Sequence, residues 1–111
     1  MPFGPGRDAV AMGAVPENLR PAIGEVLRQL VAGGLPEMFT WVHEYGDQGA
    51  TLVNQPEELW THEWTDAVRT DDGGWHVVVP LWTTDEAPSD LSAEVVVNPA
   101  GAVVLHDVHV L

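Results

Sequence analysis

Cysteine is absent from the 111 residues, and so is lysine. The first absence removes disulfides, thiolate metal sites and cysteine nucleophiles, and it suits a reducing compartment. The second leaves four arginines against seventeen carboxylates and a formal net charge of −13. A surface of that sign repels phosphate backbones and anionic headgroups, which argues against nucleic-acid and membrane binding and favours a basic protein partner. Acidity of this kind also serves solubility alone. No apolar run is long enough to span a bilayer. The amino terminus, Met1-Pro2-Phe3-Gly4-Pro5-Gly6-Arg7-Asp8, lacks a basic segment followed by an apolar one, so the chain reads as cytoplasmic. A phosphate-binding glycine loop and a nucleophile elbow are also missing.

The length is that of one domain able to bury a core without staples. Residues 1–15 are rich in Gly and Pro without periodicity and read as a loosely held tail, leaving 16–111 as a single α+β domain. Leu19, Ile23, Val26, Leu27, Leu30 and Val31 recur at helical spacing. They predict a helix over 18–33 with Asn18 as its cap, Pro21 in its first turn and Gly33-Gly34 at its end. A second, shorter helix is expected from Pro36 to Tyr45, with Met38, Trp41, Val42 and Tyr45 as its stripe and Gly46 as its stop. Residues 50–53 read as a short strand or extended arm, and 56–60 as one helical turn.

Beyond residue 63 the punctuation becomes regular. Segments 64–70, 75–84, 91–97 and 102–111 are separated by three turn signals, which predicts a four-stranded antiparallel meander. Asn98-Pro99-Ala100-Gly101 fits a type I turn with Gly101 in a left-handed bulge position. Counting outward from it puts Glu94 opposite His106, and sets Asp107 and His109 on the face of Val95 and Val97. A two-residue turn at Asp72-Gly73 likewise opposes Thr70 to Trp75 and Arg69 to His76, leaving His76 without an acidic neighbour. Pro80 implies a bulge or a local break in pairing.

Two segments echo each other: Trp41-Val42-His43-Glu44-Tyr45-Gly46-Asp47 and Trp60-Thr61-His62-Glu63-Trp64-Thr65-Asp66. The shared Trp-x-His-Glu-aromatic-x-Asp resembles a zinc-protease helix signature with Asp in place of the second His. Such sites need a continuous helix, which Gly46 breaks in the first copy and a strand replaces in the second. No metal or other cofactor is therefore assigned. Asp107 and His109, two residues apart on one strand, form a candidate dyad in which the carboxylate orients the imidazole, against the plainer view of a strand end reaching solvent. Most of the five tryptophans belong in the core. Trp60 and Trp64, beside Glu57, Glu58 and Glu63, are instead candidate interface anchors.

Trp75-His76-Val77-Val78-Val79-Pro80-Leu81-Trp82-Thr83, Ser89-Asp90-Leu91-Ser92 and His109-Val110-Leu111 resemble the succession found in an uncharacterised bacterial family of small α+β domains. The resemblance covers residues 50–111 and implies no activity. Its layout, a helix followed by a curved antiparallel sheet, is similar to cystatin-like and nuclear-transport-factor-2-like folds, which include pocket enzymes, small inhibitors and immunity proteins. The leading expectation is a non-enzymatic protein-binding domain, an immunity-type inhibitor of a basic partner, with Glu57, Glu58, Trp60, Glu63 and Trp64 making contact. The alternative is a small-molecule pocket of isomerase or dehydratase type that uses Asp107 and His109.

Overall fold

The computed structural model describes residues 13–46 and 48–110. The tail expectation for residues 1–12, and Asp47 of the zinc-like echo, lie outside them. The domain begins earlier than residue 16, because Val15 is fully buried and its N–H donates to the Trp60 carbonyl at 3.0 Å.

Helix α1 spans Arg20–Val31, preceded by a 3-10 turn at Glu17–Leu19. Pro21 sits in its first turn as expected, but Leu19 rather than Asn18 is the cap and no side chain caps it. Ile23, Leu27 and Leu30 are buried, the inner stripe of the 3.6-residue repeat. Gly33, at φ +84°, ends the helix. Its N–H reaches Leu30 O and that of Gly34 reaches Gln29 O, the paired closure that a left-handed residue permits. The second helix is not continuous. A 3-10 turn at Pro36–Met38 is followed at Thr40–Glu44 by the short helix α2, which buries Val42 and leaves Trp41 exposed.

Residues 50–55 form an extended arm. Leu52 bridges Thr83, and the Gln55 side chain continues the pairing by accepting from Trp82 N–H at 2.7 Å and donating to Trp82 O at 3.1 Å. A 3-10 turn at Glu57–Thr61 follows, burying Leu59 and Trp60.

Strands β1 (Asp66–Arg69), β2 (Trp75–Pro80), β3 (Leu91–Val97) and β4 (Val103–Val110) form one antiparallel sheet in sequential order. This is the expected α+β architecture. Ala67, Val77, Val79, Leu91, Ala93, Val95, Val97, Leu105 and Val108 point into one core with the buried residues of α1 and α2.

Two register expectations are corrected. The first hairpin does not use a two-residue turn: Thr70 N–H bonds Gly74 O and Gly73 N–H bonds Thr70 O. The second hairpin makes the same pair of bonds between Asn98 and Ala102 and between Gly101 and Asn98. Gly73 and Gly101 are both left-handed, at φ +92° and +94°, so one turn type closes both hairpins. In the first, the Asp72 carboxylate accepts from Gly74 N–H at 3.0 Å and from the Thr70 hydroxyl. The register consequently moves by one, placing Arg69 opposite Trp75 and Val68 opposite His76.

In the second hairpin the turn and the first pairs, Val97 with Val103 through Val95 with Leu105, are as expected. A bulge then inserts one extra residue in β4, and Glu94 pairs with Asp107 rather than His106. A one-residue insertion exchanges the faces of everything beyond it. Val108 therefore turns into the core, and Asp107 and His109 leave the Val95 face for the opposite one.

Candidate functional site

Both helices pack against the sheet on the side of Val95 and Leu105. The other side carries Asp66 and Val68 from β1, His76 and Val78 from β2, Ser92, Glu94 and Val96 from β3, and Val104, Asp107 and His109 from β4, as strand alternation requires. No described helix lies over these residues. Val68, Val96 and Val104 are exposed, Val104 to 61%. No arginine among the described residues belongs to this face.

Its centre is Glu94. His109 Nε2 lies 3.0 Å from Glu94 Oε2, and His76 Nε2 lies 3.6 Å from Oε1. The His109 hydrogen bond holds the Glu94 carboxyl below its ordinary range; partial burial opposes this, and the charge and hydrogen bond of the two rings reinforce it. In composition the trio is two histidines and a carboxylate. In arrangement each ring faces a different oxygen, so the carboxylate is clamped from both sides, and no group among the described residues forms a three-ligand metal cage. The expected register misses the trio because the bulge after Leu105 carries His109 to the Glu94 side, while the pairing of β2 with β3 that brings His76 near Glu94 runs through residues 81–90, a connection too long to count across.

Asp107 and His109 are not brought together as a dyad. Asp107 Oδ1 accepts from its neighbour's N–H, Val108, at 2.9 Å, while the His109 ring belongs to Glu94. The predicted anchors also separate. Trp60 is a core residue with 7% exposure, so it offers no anchor, whereas Trp64 is 52% exposed. Glu57, Glu58 and Glu63 are exposed.

Trp64 is held firmly despite its exposure. Its backbone N–H donates to His62 Nδ1 at 3.0 Å, and the two rings meet edge-on at 5.1 Å. His62 in turn stands edge-on to Trp82 at 5.5 Å, and Thr65 Oγ1 donates to Leu59 O. Opposite Trp64, the Ser89 hydroxyl donates to Leu81 O at 2.7 Å and accepts from Leu91 N–H at 3.1 Å. Asp90 N–H donates to the Tyr45 hydroxyl, which itself donates to Glu86 and is raised above its usual titration range by that bond. Between these two walls lies a cleft of about 230 Å³ lined by Trp64, Ser89, Asp90 and Ser92. It opens at the end of the uncovered face, because Ser92 shares that face with Glu94.

In the zinc-like echo, residues 60–64 pass from a 3-10 helix into a turn and 40–44 form a single short helix. Neither copy supplies the continuous helix a metal signature needs.

Residues 15–111 match the family DUF7668, a domain of unknown function. No curated protein and no solved structure matches the chain. No helix among the described residues is long and apolar enough to cross a membrane.

Proposed function

We propose that this chain, which belongs to the DUF7668 family, is a non-enzymatic protein-binding domain that docks a basic partner on the uncovered face of its sheet. The observation that carries the reading is the composition of that face. Val68, Val96 and Val104 lie in one cross-strand row and offer apolar area, and Asp66, Glu94 and Asp107 lie in the next row with negative charge that no described arginine on the face offsets. Apolar patches rimmed by charge of one sign are suited to a partner of opposite sign, with the charge steering encounter and the apolar area slowing release. Glu57, Glu58 and Glu63, exposed on the segment leading to Trp64, extend the acidic field. The narrower role that fits is an immunity-type inhibitor acting in the cytoplasm, where a cysteine-free chain loses nothing. The layout of helices on one side of an antiparallel meander, shared by small cystatin-like inhibitors, supports this only as an analogy of shape.

The test is site-specific photo-crosslinking in the native host. A benzoylphenylalanine at position 104 should yield a discrete adduct with a basic protein, and one at Gln29 on the exposed side of α1 should not. The adduct should diminish as salt rises, since screening cuts the reach of charge from about 10 Å at 0.1 M to about 3 Å at 1 M. No adduct at position 104, or equal adducts at both positions, refutes the reading.

A further inference from the structure

We propose that the cleft between Trp64 and residues 89–92 is a socket for one arginine side chain of the partner. The inference rests on the protein-binding reading and specifies its anchor.

Three features of the cleft are complementary to a guanidinium. Ser92 is 4% exposed, lines the cleft, and its hydroxyl has no hydrogen-bond partner among the described residues. A buried hydroxyl without a partner is costly to leave so, which makes it a polar atom awaiting a ligand. Asp90 is exposed at the rim, with its backbone N–H fixed by Tyr45. The described arginines are all engaged elsewhere: Arg20 with Val15 O, Arg28 with Glu25 and Arg69 over the Trp75 ring. None of them neutralises Asp90. Trp64, pinned by His62, contributes an aromatic wall to a cleft of about 230 Å³.

Guanidinium satisfies all three at once. Its plane stacks on indole, one edge meets a carboxylate with two parallel N–H bonds, and N–H groups remain for the Ser92 oxygen. A lysine ammonium is a compact point charge; it reaches the carboxylate but has no plane to lay on Trp64. The socket opens at the end of the face that carries Glu94 and Val96. A partner lying across the valines would insert the arginine there, which is the position of a desolvated anchor flanked by weaker contacts.

The experiment is an NMR titration of the 15N-labelled protein with acetyl-Gly-Arg-Gly-amide, alongside the same peptide carrying citrulline or lysine. The arginine peptide should shift the Trp64 indole N–H saturably. Citrulline, of the same shape without the charge, should bind at least about tenfold more weakly, and lysine more weakly than arginine. Asp90→Asn should reduce affinity for the arginine peptide to the citrulline level while preserving the rest of the spectrum, and Ser92→Ala should weaken it less. Equal binding of arginine and citrulline, lysine binding as tightly as arginine, shifts that do not include Trp64, or an Asp90→Asn protein that binds unchanged would each overturn the proposal. Crosslinking from position 104 separates the two ideas. If its adduct persists where the arginine peptide fails to bind, the face is a docking surface without this anchor; if both fail, the protein-binding reading goes too.

Discussion

Replacing Gly74 with alanine removes no contact and adds one methyl group, yet it should be among the most damaging changes in the sheet. A Cβ at that position would overlap the Val97 carbonyl oxygen and stand 3.2 Å from Thr70 Oγ1 and 3.3 Å from Asn98 Cα. Two of these neighbours are backbone of the second hairpin and cannot swing away. Alanine gains about 0.4–1 kcal/mol by restricting the unfolded chain. Against that, the two hairpins must part where Trp75 pairs with Val97, losing one or two hydrogen bonds at about 1 kcal/mol each on top of about 1–3 kcal/mol for overpacking. The net loss is about 2–4 kcal/mol, a fall in melting temperature of about 10–25 °C for a domain of this size. Gly73→Ala is the comparator. It has only Pro99 Cβ at 4.0 Å to meet and a φ of +92° to strain, so it should cost about 1–2 kcal/mol. Urea unfolding followed by tryptophan fluorescence, with calorimetry, gives both values. A Gly74→Ala protein within about 0.5 kcal/mol of the parent, or more stable than Gly73→Ala, would refute the close approach of the hairpins.

Leu27→Ala should lower stability by about 2–5 kcal/mol, because Leu27 is 2% exposed in the middle of the buried α1 stripe; a loss of a few tenths in the same urea assay would mean that the stripe does not pack on the sheet. Glu94 predicts an acid dependence. Its folded-state pKa is lowered, so its contribution is complete above the unfolded carboxyl value of about 4.3 and is lost as pH falls through the lower folded value. The parent should exceed Glu94→Gln by about 1 kcal/mol near neutrality, discounted for partial exposure, and the gap should close as pH falls through the lowered folded-state value. Stability curves that stay parallel throughout would show that the histidine clamp contributes nothing.

The meander, the first helix and its glycine stop were legible because each rests on local chemistry: a hydrophobic period, short turns, and Gly33 where a left-handed residue is needed. The acidity and the exposure of Trp64 were legible too. What escaped was set by single-residue counts. Thr70-Asp71-Asp72-Gly73-Gly74 contains a dipeptide typical of two-residue turns, but the Asp72 side chain bonding Gly74 N–H favours the longer one. The β4 bulge has no glycine to announce it. It is selected by the core, which takes Val108 at 2% exposure and leaves Asp107 outside. Trp60 was misread for a similar reason: its acidic neighbours line only one side of a short turn whose other side faces Val15 and Gly24.

That bulge also governs how the chain behaves in a crowd of its own copies. A sheet with a bare face has two rims as well, and regular rims invite other strands to join them without end. Here one rim is only the four residues of β1. The other is kinked at the inserted residue of β4, where the Val108 N–H is already occupied by the Asp107 carboxylate. Lateral growth is obstructed at both rims while the broad side, with its exposed valines, stays available.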